Sequence, residues 1–190
     1  VQLSDIHVGP TIRQGYLQPI VDRVNALEPD VVAVTGDLVD GSVPEPAPHV
    51  APLAQLRARH GVYFVTGNHE YYAGVHAWVQ EVRRLGLRVL HNEHVVLRRG
   101  AGTLVLAGVP DYSAHHFDAS HRSDPALALQ GAPAGATRIL LAHQPRTAAA
   151  AAQAGFDLQI SGHTHGGQIF PWSFFVPLQQ PFTAGLHQLG

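Results

Sequence analysis

The hydrophobic positions along the chain repeat one order: a short apolar run, a few polar residues, and then a segment with helical periodicity. Continuous runs such as VVAV and RILLA are typical of strands that are buried on both faces. Between such runs, apolar residues recur every three or four positions, as at Val75, Trp78, Val82 and Leu85, which indicates an amphipathic helix. Alternating strands and helices predict an α/β protein built around a central sheet.

Three further helices are predicted from the same periodicity and from their end signals. The first covers YLQPIVDRVNALE with Pro19 in its first turn, the second lies around His49–Arg59, and the third begins at Pro145 and ends at Gly155. In mid-chain, HVVLRR and TLVLAGVP are joined by GAG and predict a β-hairpin, so the sheet is mixed or there are two sheets. No linker interrupts the pattern, and residues 1–190 are therefore predicted to form a single domain.

Polar side chains follow five of the predicted strands, at the point where each apolar run ends. They are Asp5 with His7, Asp37, Asn68 with His69, His143, and His163 with His165. Because the carboxyl ends of strands line the binding crevice of an open α/β sheet, we expect these side chains to converge on one pocket. Glycines directly before Asp37, Asn68 and His163 would let the backbone turn sharply there.

Leaving His69 aside, the set contains two carboxylates, one amide oxygen and four imidazoles, which is too many donors for one tetrahedral zinc ion. It suits two divalent ions such as Mn, Fe or Zn that share one carboxylate. Paired metals are the usual apparatus of phosphate-ester hydrolysis, since they bind phosphate oxygens and generate hydroxide near neutral pH. The donors therefore predict two divalent metal ions and a phosphoryl substrate.

The overall composition argues against several other functional classes for this chain. The formal net charge of −2 gives no basic footprint for duplex nucleic acid. The absence of cysteine excludes disulfides and thiolate metal sites, and no apolar run approaches the roughly 20 residues that span a bilayer. The partner that remains is a small phosphate ester, while the oligomeric state is left open.

Five blocks of sequence carry a family resemblance. DIH, GDLVD, GNHE, a lone histidine after LLA, and GHTH follow one another in this order, and together they resemble the calcineurin-like metallophosphoesterase family over essentially the whole chain. The resemblance implies a four-layer α/β/β/α sandwich of two mixed β-sheets flanked by helices. SGHTHGGQIFP and GNHEYYAG look most like a bacterial, often membrane-anchored subgroup, whose members include hydrolases of lipid-linked nucleotide substrates.

The same resemblance implies roles for individual residues. Asp5, His7 and His165 would hold one metal ion, Asp37 would bridge, and Asn68, His143 and His163 would complete the second. Hydroxide held between the two ions would attack the phosphorus of a phosphodiester, phosphomonoester or pyrophosphate. His69 resembles the catalytic imidazole of the family, which stabilises developing charge or protonates the leaving group.

The two ends of the chain carry expectations of their own. The absence of methionine and a strand that starts at Val1 indicate a processed or trimmed chain, and the ending TAGLHQLG indicates that C-terminal strands are truncated. On this interpretation the protein is bacterial. It is either cytoplasmic or anchored to a membrane through a missing N-terminal segment.

The sequence leaves two interpretations open for each of several residues. Asp40 is expected to support the ligands or cap a turn without binding metal itself, and Glu70 either orients His69 or caps a helix. His115 and His116 either reach a substrate phosphate or lie on the surface. The apolar stretch from Phe170 to Phe182 either forms a lip for a lipid-like substrate or membrane, or packs over the sheet. The remaining histidines are expected to be surface or core residues: His49, His60, His76, His91, His94, His121 and His187.

Three other functions compete with a small-molecule phosphoesterase. A nuclease would use the same metals, but the chain lacks a basic groove for long polynucleotides. A catalytically idle metal-binding module acting through partners would have no need for the uncoordinated imidazole of His69. A redox dimetal protein is disfavoured because no tyrosine lies in a ligand block.

Overall fold

The apolar runs form the strands of two four-stranded sheets in the computed structural model, which describes residues 1–167, 171 and 174–189. The first sheet contains β1 Gln2–Leu3, β2 Val32–Val34, β3 Val62–Phe64 and β4 Arg88–Val89, and the second contains β5 Glu93–Arg99, β6 Gly102–Gly108, β7 Thr137–Leu141 and β8 Leu158–Ile160. The strands follow chain order in both sheets.

The two sheets differ in strand direction. All neighbours in the first sheet are parallel, because a helical crossover separates each strand from the next. In the second sheet β5 and β6 form the predicted antiparallel hairpin, with Arg99 opposite Gly102, and β7 and β8 then add in parallel. The expectation of two mixed sheets therefore needs correction, because the second sheet is mixed but the first is parallel.

Helices cover the outer faces of both sheets. The helices in the described residues are α1 Gln14–Ala26, α2 Ala47–Val50, α3 Asn68–Tyr72, α4 Val75–Arg84, α5 Pro125–Ala128, α6 Ala148–Ala154 and α7 Val176–Gln179. Leu17 of α1 and Trp78 of α4 are fully buried against the first sheet, and Ala128 of α5 and Ala151 of α6 are buried against the second. None of the helices in the described ranges is both long enough and apolar enough to cross a bilayer.

A separate apolar layer lies between the sheets. Ala33 and Val65 from the first sheet and its strand ends pack with Leu106 and Leu141 from the second, and all four are buried. Sheet-on-sheet contact with helices outside gives four layers, so the predicted α/β/β/α sandwich is confirmed.

Two helix predictions need correction. The first helix begins at Gln14, so Pro19 lies inside it rather than in its first turn and removes one backbone donor there. The second is shorter than His49–Arg59: α2 ends at Val50, and a 3₁₀ turn follows over Ala51–Gln55. Pro52 lacks the N–H that would continue the α-helical ladder, which explains the break.

Hydrogen bonds between the sheets place their strand ends side by side. The Gln2 side chain donates to the Ser161 carbonyl at 2.9 Å, and the His143 ring donates from Nδ1 to the Thr35 carbonyl at 2.7 Å. After β1 and β2 the chain stays paired through a bridge between Val8 and Val39. The segments that follow β1, β2, β7 and β8 consequently meet in one place.

Candidate metal centre

The strand-end residues predicted from the sequence come together where the two sheets meet. Asp5 and His7 follow β1, Asp37 follows β2, and Asn68 and His69 open α3 after β3. From the second sheet, His143 follows β7, and His163 and His165 follow β8. Their candidate metal-binding atoms form two main groups, and the carboxylate of Asp37 lies close to both.

The outer group consists of Asp5, His7 and His165. Their candidate donor atoms all lie within 4.8 Å of one another. His165 Nε2 is 3.4 Å from Asp5 Oδ1 and 3.3 Å from His7 Nε2. Donors about 2.0–2.1 Å from a shared tetrahedral ion are separated by roughly 3.3 Å, so this spacing suits one cation.

The inner group consists of Asp37, His143 and His163. His143 Nε2 is 3.0 Å from Asp37 Oδ2 and 3.2 Å from His163 Nδ1. The same Oδ2 atom also lies 3.9 Å from His7 Nε2 of the outer group. Asp37 is therefore placed to serve both groups, as a bridging carboxylate would be.

Asn68 gives an independent test of whether a cation fits here. Its side-chain Oδ1 is buried and has no hydrogen-bond partner among the residues that the structure describes, although buried polar oxygens are normally satisfied. Asn68 lies between Gly67, whose Cβ position would overlap the Asp37 carboxylate, and His69, whose backbone N–H donates to Asp37 Oδ1, so the Asn68 backbone is next to the inner group. A buried, unpartnered amide oxygen on this segment fits a divalent metal ion.

The ligand candidates are held in orientation by neighbouring acceptors and donors. His143 donates from Nδ1 to the Thr35 carbonyl, which turns its Nε2 atom towards Asp37. Asp5 accepts the backbone N–H of His163 at 3.0 Å and so ties β1 to the loop after β8. The contact of His143 with Thr35 is typical of metal-binding histidines, which usually donate the N–H of their second ring nitrogen to a neighbouring acceptor.

Asp40 supports two histidines at once. Its Oδ1 atom lies 2.9 Å from His7 Nδ1 and 2.6 Å from His69 Nδ1, so both rings can donate to it. The Nε2 atom of His69 then points towards the centre, 3.9 Å from Asp37 Oδ2. The sequence placed Asp40 among the supporting residues but did not reveal that it orients both rings.

Electrostatics favour positive charge at the inner group. Burial opposes ionisation of Asp37, but its hydrogen bond to His143 and the charge of that ring outweigh burial and lower the pKa of Asp37 to about 2. Burial likewise opposes a proton on His143, yet Asp37 raises the pKa of His143 to about 9. Burial lowers the pKa of His163 to about 4, so this imidazole is neutral and offers a lone pair.

The backbone at the centre is held in an unusual conformation. Asp5, His7, Asp37, His163 and His165 all have φ between +48° and +74°, the left-handed region that residues with side chains rarely adopt. Such strain is typical of functional sites, where it persists because the surrounding structure enforces it. Hydrophobic patterning carries no signal for these positive φ values, so the sequence does not predict them.

Two glycines are required here because they lack a side chain, not because their backbone is flexible. Gly36 does have a positive φ of 89°, as the sequence suggested. Gly67 has φ of −97° and Gly162 is not among the positive-φ residues, but a Cβ at either position would overlap an aspartate carboxylate, of Asp37 and Asp5 respectively. At these two positions the missing side chain makes room for the candidate ligands.

Glu70 lies beneath the inner group, where its carboxylate accepts hydrogen bonds from backbone N–H groups. It is fully buried and accepts N–H donors from Asp37 at 3.0 Å, Leu38 at 2.8 Å and Gly67 at 2.6 Å. Burial and the Asp37 charge raise the pKa of Glu70 to about 7 against the opposing effect of these donors. Of the two roles open for Glu70, capping is the one that these contacts support.

The remaining candidates from the sequence are His115, His116 and the apolar stretch from Phe170 to Phe182. His115 and His116 lie in a 3₁₀ turn, Ala114–His116, where their rings contact each other and His115 hydrogen-bonds the Tyr112 carbonyl. In the apolar stretch, Phe170 and Trp172 lie outside the described residues, while Phe174 and Phe175 are exposed.

Comparisons with known proteins agree with this geometry. The sequence model of the Calcineurin-like phosphoesterase family matches residues 1–167. The chain is 45% identical over 200 residues to a Bos taurus protein named "Transmembrane protein with metallophosphoesterase domain", covering all of this chain and 45% of that protein. It is 39% identical over 189 residues to an "Uncharacterized metallophosphoesterase" of Helicobacter pylori, covering 99% of this chain and 50% of the relative. The chain thus spans about half the length of these curated relatives.

Solved structures show the same fold at low sequence identity. A 5'-nucleotidase precursor from Thermus thermophilus superposes with a TM-score of 0.59 at 17% identity, covering 86% of this chain and 41% of that one. The NAD nucleotidase of Haemophilus influenzae gives a TM-score of 0.56 at 15% identity, covering 86% and 38%. Taken with the sequence match over residues 1–167, the two sheets and the strand-end donors make this chain a member of the calcineurin-like phosphoesterase family.

Proposed function

We propose that residues 1–190 act as one domain that hydrolyses a small phosphate ester with two divalent metal ions. The observation that carries this proposal is the pair of donor groups on either side of Asp37, together with the buried, unpartnered oxygen of Asn68. Asp5, His7 and His165 would hold one ion and Asn68, His143 and His163 the other. Imidazole, carboxylate and amide donors accept Mn, Fe or Zn, so the proposal extends to all three.

When bound, such ions polarise phosphoryl oxygens and lower the pKa of water. The chain itself provides orientation and proton transfer. Asp40 accepts the Nδ1–H of His69, which fixes the ring with Nε2 directed towards the centre. The His69 side chain is about one-third exposed and can reach a substrate. We assign His69 the role of donating a proton or hydrogen bond to the phosphate or to its leaving oxygen.

The substrate proposed is a phosphodiester, phosphomonoester or pyrophosphate with an apolar or nucleotide portion. A cleft of about 1050 Å³ borders Asp5 and His165, and its wall combines polar groups with Phe156, Leu158 and Leu186. The nucleotidase structures that share the fold support a nucleotide-like substrate. The names of the vertebrate relatives support a position close to a membrane.

Metal reconstitution tests the proposal. Metal-free protein is supplied with Mn²⁺, Zn²⁺ or Fe²⁺ singly, and hydrolysis of bis(p-nitrophenyl) phosphate is compared with that of p-nitrophenyl phosphate. We expect metal-dependent turnover, and His69→Asn should lower kcat by about 10²–10⁴-fold because a positioned proton donor is lost. His49→Asn on α2, outside the centre, is the matched control and should keep its rate.

The outcomes separate the competing functions. Turnover that survives His69→Asn would support a bystander role for this ring. Two bound metals with no hydrolysis of either ester, or of a nucleoside monophosphate, would favour the idle metal-binding module. Preference for polynucleotides over all small esters would favour the nuclease.

A further inference from the structure

A third cluster of donor atoms lies outside the metal centre. His76 is in the first turn of α4, Asp118 directly precedes the short 3₁₀ turn Ala119–His121, and His121 is its last residue. Their candidate ligand atoms fall within 4.8 Å of one another. Asp118 Oδ2 is 3.4 Å from His76 Nε2 and 3.7 Å from His121 Nε2. These separations are close to the roughly 3.3 Å expected between donors on one tetrahedral ion.

The two less exposed members are oriented by neighbouring groups. Asp118 uses its other oxygen, Oδ1, to accept from the Ser120 backbone N–H at 2.9 Å and from the Ser120 hydroxyl at 2.6 Å. His121 Nδ1 lies 2.9 Å from the Tyr71 hydroxyl, so a neutral ring that donates to this oxygen keeps its Nε2 lone pair towards Asp118. Supporting contacts of this kind, on the atoms that do not face the ion, accompany protein metal ligands.

The surroundings leave room for a cation and a further ligand. The His91 ring is 4.2 Å from the His121 ring between centroids, and a surface cleft of about 410 Å³ is lined by His76, His91, Glu93 and His121. Burial lowers the pKa of His121, so this imidazole is available in its neutral form. The His76 side chain is 72% exposed, which gives solvent water access to the cluster.

We propose that His76, Asp118 and His121 form a further metal site for a zinc-like divalent cation, with water or His91 completing its coordination. Two histidines and one carboxylate are the ligand types that such ions take from proteins. The site would fasten the turn that carries Asp118 to the start of α4. Through Tyr71 it would also contact α3, the helix that carries Asn68 and His69.

An ion pair among the same side chains is the competing explanation. A protonated His76 or His121 would be attracted to Asp118 without any metal, and an exposed pair of this kind contributes little to stability. The metal site predicts one more bound zinc per chain than the ion pair does, and activity measurements do not detect that difference.

Zinc counting tests the proposal. Wild-type protein, Asp118→Asn, His76→Gln and the control His49→Gln are dialysed against the same buffered concentrations of free Zn²⁺, and bound zinc per chain is measured. We expect Asp118→Asn and His76→Gln each to bind one zinc fewer than wild type, while His49→Gln matches it. Asp118→Asn keeps the oxygen that accepts from Ser120, and His76 is largely exposed, so both variants should fold.

The same difference should persist in an Asp37→Asn background, where the dinuclear centre is impaired. A deficit of one zinc there would support the third site even if the proposed phosphoesterase activity failed. Equal zinc counts in wild type, Asp118→Asn and His76→Gln at every concentration would overturn the proposal. Lower thermal stability of the variants without zinc, together with equal counts, would assign the cluster to ion pairing.

Discussion

The inner and outer groups of the metal centre use the same kinds of side chain in different surroundings. In the inner group the side chains of Asp37 and His143 are 3% and 0% exposed, whereas in the outer group those of His7 and His165 are 18% and 36% exposed. His143 is oriented by a backbone carbonyl and His7 by the half-exposed carboxylate of Asp40. On the proposed function, the inner group would retain its ion, and the outer group would exchange its ion more readily and contact the substrate.

Asp37→Asn should have the largest effect, because the Asp37 carboxylate faces both groups. Losing the shared negative charge removes several kcal/mol of metal and transition-state stabilisation, and kcat/KM should fall by about a thousandfold or more. Steady-state kinetics and metal analysis measure this, with exposed Asp22→Asn on α1 as the control. If Asp37→Asn lost metal from one group alone, the bridging assignment would be wrong.

Asp40→Asn tests the side-chain support of the outer group. The substitution removes the charge that orients His7 and His69, and activity should drop by about 10–100-fold, the usual effect of losing such a supporting contact. Metal analysis should show loss from the outer group while the inner ion stays bound. An unchanged rate would mean that neither ring depends on Asp40.

Glu70→Gln tests the support of the inner group. The amide retains one acceptor oxygen but presents an NH₂ group to backbone N–H donors, so at least one buried donor loses its partner. The free energy of unfolding in urea should decrease by about 1–3 kcal/mol. Exposed Glu45→Gln is a suitable control, and equal stability of Glu70→Gln and wild type would contradict the capping role.

Chelator treatment of metal-loaded protein compares the inner and outer groups directly. Its expected effect is the smallest of these tests. We expect metal to leave in two phases, with the outer ion departing about tenfold faster than the inner one, since differences in the contacts that support the ligands change metal affinity by about 10–100-fold. His165→Gln should remove the fast phase. A single phase in wild type would show that the difference in burial does not affect exchange.

The sequence predicted the parts of the centre that depend on strand endings. Buried parallel strands leave a clear apolar signature, and a polar residue directly after each one is visible without coordinates, as for Asp37 and His143. The sandwich and the family were confirmed. The roles of the individual ligands are still predictions.

Other features depend on spatial relations that the sequence pattern does not carry. The positive φ of His7 and His165 results from the backbone that surrounds them, and Asp40 meets His69 only after two loops fold together. His76 and His121 were predicted to be ordinary surface or core residues, because each is isolated in the sequence. Only the packing of α4 against the loop after β6 brings them to Asp118.

The hydrogen bond between Asp5 and the His163 backbone joins residues that are 158 positions apart. Each candidate group includes a residue from the loop after β8, His165 in the outer one and His163 in the inner one. A chain emerging from the ribosome would thus have both groups incomplete until this loop is released. Because contacts of such long sequence separation form late and slowly, metal loading should follow the folding of the sheets rather than act as a nucleus for folding.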